Sequence, residues 1–275
     1  KMNRSIYKTL YLILALLVLI SPVATLIVSV KAQATVATIT SVSTPVYPGE
    51  PVTVTLTVSQ GNVLLNVTLA NSNTSPMYVW ASRAVNAPDP GTYVVQLTLP
   101  EELPGLSSPP TLWVLVYFGN TLQSNVSVPI YPKIVVSPPK TANVYENGAS
   151  KSITVSGYGF YPEANISNII FSNLDYSGVV YNVSNDSLST PVNVSSNGSF
   201  SVSLPIIPNI SSEGMAGGRY NVSVVLNAST VKESSYLSDL NKYLKNATLE
   251  ILPQAIINAS PNPPIIEPNS GAGRV

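Results

Sequence analysis

Thr53-Val54-Thr55-Leu56-Thr57-Val58 alternates strictly between a hydroxyl and an apolar side chain. A period of two puts every apolar residue on one face and every threonine on the other, as in a strand with one side in a core and the other in solvent. The rhythm recurs outward from this stretch. Val95-Gln96-Leu97-Thr98-Leu99, Ser152-Ile153-Thr154-Val155-Ser156 and Ser199-Phe200-Ser201-Val202-Ser203-Leu204 repeat it, and residues 220–226 and 247–252 read as further strands. Leu112-Trp113-Val114-Leu115-Val116-Tyr117 is apolar throughout, which predicts a strand buried on both faces. Pro48-Gly49, Gln60-Gly61-Asn62, Pro90-Gly91 and Gly119-Asn120 are turn signals between the runs. Short strands at this spacing predict an all-β chain built as sandwiches.

A length of 275 residues exceeds what one sandwich needs. The strand grammar restarts near residue 133, after the proline cluster Pro129, Pro132, Pro138 and Pro139. Proline cannot donate to a sheet ladder, so this stretch reads as a seam. The expected division is residues 35–132 and 133–253, two tandem antiparallel sandwiches, followed by a Pro-rich extended tail at 254–275. Pro48-Gly49-Glu50-Pro51 ahead of 52–58 is matched by Glu146-Asn147-Gly148 ahead of 152–156. Gly91-Thr92-Tyr93-Val94-Val95 is matched by Gly218-Arg219-Tyr220-Asn221-Val222, as two copies of one unit would be. One short helix is expected over about 234–246, where Leu237, Leu240, Tyr243 and Leu244 recur at helical spacing. Ser234 or Ser235 is its expected cap, and it is expected to plug one end of the second sandwich.

Lys1, Arg4 and Lys8 precede an apolar run over residues 10–20, which continues mostly apolar to Val30 and ends in Ala32-Gln33-Ala34. These are the parts of a hydrophobic signal peptide helix cleaved near Ala34. The stretch is also long enough to hold an uncleaved anchor, with residues 10–30 in the membrane. A pilin-type leader at Arg4-Ser5 is a third reading.

Charged residues are only 9% of the chain, and 13 Lys and Arg balance 13 Asp and Glu. Nucleic-acid binding, which draws on clustered cations, is not expected. With no Cys and no His, Ser-His-Asp and Cys-His catalysis and Cys/His zinc sites are excluded. No phosphate-cradling glycine loop or calcium loop is present. Asp89, Asp175, Asp186 and Asp239 are far apart in sequence, and the adjacent Glu101 and Glu102 would point opposite ways on an extended chain. The expectation is therefore no catalytic residue, no metal, no cofactor and no enzyme. Trp80, Trp113 and 15 Tyr could form a sugar-binding platform or fill cores and rims.

The motif that stands out is Asn-x-Ser/Thr, the acceptor for an N-linked glycan. Downstream of residue 34 it occurs at Asn66, Asn73, Asn125, Asn165, Asn182, Asn185, Asn193, Asn197, Asn209, Asn221, Asn227, Asn246 and Asn258. With Ser and Thr at about a fifth of the chain, chance would make only about five of its asparagines acceptors. Sugars at these positions would disperse a chain too poor in charge to disperse itself.

These strands, the crowded sequons, the missing Cys and His, and the phrase Ile153-Thr154-Val155-Ser156-Gly157-Tyr158-Gly159-Phe160-Tyr161-Pro162 together resemble archaeal cell-surface glycoproteins of the surface-layer and filament type. Phrases of that kind recur in Ig-like domains of surface proteins. The resemblance implies Ig-like sandwiches and a mechanical role in a lattice, thread or adhesin at the cell surface. Its partners would be further copies of the chain or other surface proteins. It also raises the option that residues 35–44 act as a donor strand for a neighbouring subunit, against the simpler reading as the first strand of their own domain. Two other functions stay open: a membrane-anchored adhesion module that binds glycans or proteins, and an extracellular hydrolase or its accessory domain.

Overall fold

A computed structural model describes residues 35–142, 145–146, 149–150, 152–178, 180–188, 191–205 and 217–252. The expected leader and the tail at 254–275 lie outside the described residues. Seven strands form the first half: β1 (Ala37–Val42), β2 (Pro51–Val58), β3 (Val63–Ala70), β4 (Val79–Ala87), β5 (Gly91–Thr98), β6 (Thr111–Phe118) and β7 (Thr121–Pro129). They make sheet I, in the order β1-β2-β5, and sheet II, in the order β4-β3-β6-β7. The second half contains β8 (Lys133–Ser137), β9 (Lys140–Ala142), β10 (Tyr145–Glu146), β11 (Ala149–Ser150), β12 (Ser152–Tyr158), β13 (Ile166–Asn173), β14 (Val180–Ser184), β15 (Phe200–Pro205), β16 (Gly218–Leu226), α1 (Ser234–Tyr243) and β17 (Ala247–Leu252). Here sheet III is β15-β12-β8 and sheet IV is β14-β13-β16-β17-β9, with β10 and β11 as a small separate hairpin.

The connectivity of β1, β2, β5 and of β4, β3, β6, β7 is that of β8, β12, β15 and of β14, β13, β16, β17. Two tandem Ig-like sandwiches follow directly from this strand order. The pairing of 52–58 with 152–156 falls on equivalent strands. The pairing of Gly91-Thr92-Tyr93 with Gly218-Arg219-Tyr220 does not: β5 corresponds to β15, whereas Gly218 opens β16, the counterpart of β6. A glycine followed by a tyrosine-bearing strand marks any turn entering a sheet, so it could not tell those strands apart.

Alternation decides which face each strand buries. On β2, Val52, Val54, Leu56 and Val58 are buried, and Thr53, Thr55 and Thr57 face out. Val63, Leu65, Val67 and Leu69 of β3 and Leu112, Val114 and Val116 of β6 supply the opposing layer. The second core is built around Ile153, Val155, Ile169, Phe171, Tyr220, Val222 and Leu249. Sequence placed β6 inside on both faces, and only part of that holds. Trp113 and Tyr117 stay half-exposed on the outer side, while Leu115 between them is buried with Thr68 and Asn125 as cross-strand neighbours. Among the described residues no second layer covers that face, and the flanking side chains shield Leu115.

The helix is present and ends three residues short of the expected 246. Tyr236 and Leu240 join the second core. The cap differs from expectation: Glu233 holds the position without a side-chain capping bond, and Ser234 is already the first helical residue. Ala37–Val42 pairs with β2 of its own sandwich, which overturns the donor-strand reading of 35–44 for this chain on its own.

Gly157 explains the phrase around it. A Cβ there would meet Phe200 Cε1 at 2.1 Å and Phe160 Cε2 at 2.6 Å, and those two rings pack edge to face at 5.2 Å. Gly157→Ala should therefore destabilise the second sandwich by about 1–3 kcal/mol through overpacking. Denaturant unfolding measures it, and an unchanged midpoint would show that the rings can yield.

Only Ile130, Tyr131 and Pro132 separate β7 from β8, and their backbone is held on both sides. Tyr131 N–H donates to the Val46 carbonyl at 2.9 Å, and the Pro132 carbonyl accepts from Lys245 N–H at 3.0 Å. Ile134 N–H donates to the Lys245 carbonyl at 2.9 Å. Around the joint the Tyr131 ring packs on Tyr243 at 4.4 Å and lies 6.5 Å from Tyr47, whose hydroxyl donates to the Tyr243 carbonyl at 3.0 Å. Glu50 pairs with Lys245 and, at 3.7 Å, with Lys133. Gly159, at φ +72°, lies where a side chain would strike Pro48 and Ile130. Half-exposed ion pairs contribute only about 0–1 kcal/mol, so the hydrogen-bonded backbone and the ring packing carry the joint. Glu50→Gln should cost less than about 1 kcal/mol and keep the joint rigid. Replacing Tyr131-Pro132 by Gly-Ser should broaden the distance distribution between the sandwiches in small-angle scattering; an unchanged distribution would place the stiffness elsewhere.

Candidate functional site

The sequons are the candidate site, and the sheets sort them. Asn66 on β3 and Asn125 on β7 are exposed on sheet II. Asn182 on β14 is exposed and Asn221 on β16 half-exposed on sheet IV. The strands of sheets I and III contain no asparagine. Their outer faces are instead rich in hydroxyls. Thr38, Thr57 and Thr92 align across β1, β2 and β5, and Ser156 and Ser201 face each other on β12 and β15 with their oxygens 3.1 Å apart. No charged residue lies on β1, β2, β5, β12 or β15. Each sandwich thus has one sheet with sequons on its strands and one hydroxyl-rich sheet without them, Lys133 of β8 being the charged residue on the strands of sheets I and III.

The remaining sequons sit in loops and turns. Asn165, Asn193, Asn227 and Asn246 are exposed, and Asn73 and Asn197 are half-exposed. In two of these turns the sequon's own hydroxyl donates to the asparagine carbonyl oxygen: Ser199 Oγ to Asn197 Oδ1 at 2.7 Å and Ser229 Oγ to Asn227 Oδ1 at 2.8 Å. This holds the amide plane and leaves the nitrogen outward. Asn165, Asn193 and Asn227 meet at the rim of one polar cleft, with Asn185 in its wall. Asn185 is different. It is 8% exposed, its Oδ1 accepts from Val192 N–H at 2.7 Å and its Nδ2 donates to the Val192 carbonyl at 3.1 Å. Both ends of that amide clasp the chain. Asn209 and Asn258 lie outside the described residues.

Asp175, Glu250 and Glu50 sit in separate local ion pairs. Asp175 accepts from Arg219 at 2.8 Å, and the guanidinium holds its carboxyl below the usual range. Glu250 pairs with Lys140 at 2.8 Å. Among the described residues no three His, Cys, Asp or Glu gather where they could hold a metal, and no helix is long and apolar enough to cross a membrane. The aromatics that sequence showed as scattered are brought together, but at the joint: Tyr47 and Tyr243 are 196 residues apart. Trp80 is tied down by its indole N–H, which donates to the Pro104 carbonyl at 3.0 Å. Periodicity marked Tyr243 as helical but carries no signal for Tyr47, Glu50, Tyr131 and Lys245, which belong to loops.

A cavity of about 250 Å³ lies beside the joint, lined by Pro109, Ile130, Tyr131, Tyr236 and Asp239 among others. Next to it the Tyr161 and Tyr236 rings pack edge to face at 5.4 Å. Both hydroxyls and one Glu233 carboxylate oxygen are buried without a protein hydrogen-bond partner.

No family model matches the chain, and no curated protein does. Among solved structures it is similar to the FN1–FN3 domains of chicken CNTN1, at 14% identity over 79% of this chain and 67% of that one, with a TM-score of 0.22. It is also similar to a D1–D4 ectodomain fragment of ICAM-5, at 14% identity over 79% of this chain and 53% of that one, with a TM-score of 0.23. The chain therefore spans about half the length of the ICAM-5 fragment. Overlays this loose carry no weight for function, and the fold class stands on the strand order.

Burial pushes the Tyr161 and Tyr236 phenols up from the ordinary 10.0. A phenol raised in the fold keeps its proton where the unfolded chain loses it. Its stabilisation is whole below about pH 10 and is lost as pH rises from there through the folded value. Tyr236→Phe should flatten that alkaline loss and be neutral or stabilising at pH 8, since it removes an unpartnered buried hydroxyl. Denaturant unfolding at pH 8 and pH 11 checks this; equal pH dependence in both proteins would rule the phenol out as the cause.

Proposed function

We propose that the chain is an exported, N-glycosylated structural protein of the cell surface, a subunit of a surface layer or an extracellular filament. The observation that carries this reading is the segregation of sequons. Strand-borne acceptors occur on sheets II and IV and none on sheets I and III, whose outer faces are rich in hydroxyls and carry one charged strand residue, Lys133. Chance sequons in a Ser- and Thr-rich chain would fall on both sheets of a sandwich. Glycans on one sheet shield it from contact, and the neutral sheet is left to pack against a neighbouring subunit. The pinned joint supports the same reading, because a structural subunit must hold its two sandwiches in one arrangement to register with its neighbours. The leader expected in residues 1–34 supplies the route out of the cell.

Intact mass and peptide mapping of the protein from its source cells test the proposal. The expected result is a mass well above the 29.1 kDa of the chain, sugar on Asn66, Asn125, Asn182 and Asn221, and an unmodified Asn185. Sedimentation of the same material should show self-association. Bare asparagines throughout would sink the glycoprotein reading; a glycosylated protein that stays monomeric at high concentration would sink the structural one.

A further inference from the structure

On the outer face of sheet II, Asn66 and Tyr117 stand directly opposite one another on β3 and β6. Such a pair has its Cβ atoms about 4.5–5.5 Å apart on one face. With Thr68, Ser82, Met77 and Val79 they line a groove of about 400 Å³, within the range of about 300–1,000 Å³ found for small-molecule sites. Its apolar side is unusually open, with Met77 37% and Val79 52% exposed. Ser82 Oγ donates to Asn66 Oδ1 at 2.7 Å. That bond fixes the amide plane and leaves Nδ2, the atom that takes a sugar, exposed and without a protein acceptor.

We propose that the glycan on Asn66 folds back onto the protein, its first pyranose ring lying in this groove against Tyr117, Met77 and Val79. The inference rests on the glycoprotein reading above. A pyranose has apolar C–H faces and a hydroxyl-bearing rim. An aromatic ring and a thioether accept the former, and the Thr68 and Ser82 hydroxyls and water accept the latter. The attachment point already sits in the groove wall, so the sugar is delivered there at high effective concentration. Asn125 is the internal contrast. It lies on the same face, opposite the fully buried Leu115, but it is not among the residues that line the groove.

The test is a double-mutant cycle in the glycosylated protein, using Asn66→Gln, Tyr117→Ala and the pair, with Asn125→Gln as control and site occupancy read by peptide mapping. The two changes should be non-additive, with a coupling of about five-fold or more in the unfolding equilibrium constant. Enzymatic trimming of the glycans should abolish the coupling, and Asn125→Gln should leave the unfolding midpoint unchanged. If Tyr117→Ala does not fold, Met77→Ser in its place completes the cycle. Additive effects with Asn66 occupied overturn the proposal. An Asn66 left bare while other exposed sequons carry sugar also overturns it and leaves the glycoprotein reading standing, whereas bare sequons throughout overturn both. Saturable binding of a free saccharide in the groove of the native glycoprotein would assign the groove to a ligand from outside and overturn it as well.

Discussion

Three residues connect the two sandwiches, and the bonds made by those three decide whether the molecule is one body or two. A free linker of this length would let each half tumble on its own. Here the backbone is taken up on one side by Val46 and on the other by Lys245, so the link is continuous with both folds. The rings of Tyr131 and Tyr243 then exclude water from the same point. Glu50 and its two lysines add orientation more than strength, since charges this close to solvent bind weakly. The residues that form the joint come from loops, the start of β8 and the end of α1, so neither sandwich spends the middle of a core-facing strand on it.

A chain with so little charge needs another way to avoid precipitation. The alternating strands supply part of it, because many outward positions of sheets I and III, such as Thr53, Thr55, Thr57, Ser156 and Ser201, hold a hydroxyl that water can solvate. Sugars on sheets II and IV would supply the rest. Glycosylated in that way, the chain would present one face that repels neighbours and one that tolerates them, without a single charged side chain on β1, β2 or β5. Asn185 shows that the motif and the acceptor are different things. It satisfies the spacing rule, yet its amide is committed to closing the loop at Val192.

Much of the fold was legible because a half-buried strand writes its geometry into every second residue. Thr53 through Val58 could not be read otherwise, and the second sandwich repeated the signal at 152–156. What escaped was whatever depended on a neighbour rather than on a period. Leu115 looked like its flanking residues, yet only it is buried, because Trp113 and Tyr117 beside it have no covering layer. Gly218-Arg219-Tyr220 resembled Gly91-Thr92-Tyr93 because turns constrain both, although the strands that follow hold different places in their sheets. The sequons were legible one by one, but their sorting onto sheets II and IV needed the strand order. The groove at Asn66 was invisible, since Met77, Ser82 and Tyr117 reach it from three separate strands and loops.

The pairing of β9 with β17 has a mechanical side. It is a parallel pair, Glu250 opposite Lys140 and Leu252 opposite Ala142, close to where the chain enters and leaves the second sandwich, and it is tied further by the Lys140–Glu250 ion pair. Tension along the chain pulls two parallel strands past each other lengthwise, so their hydrogen bonds bear the load together rather than opening one at a time like a zip. The rate of forced opening is then governed by a barrier shared among several bonds. A pair of only three registered residues thereby becomes a latch that resists stretching far better than its small contribution to equilibrium stability would suggest.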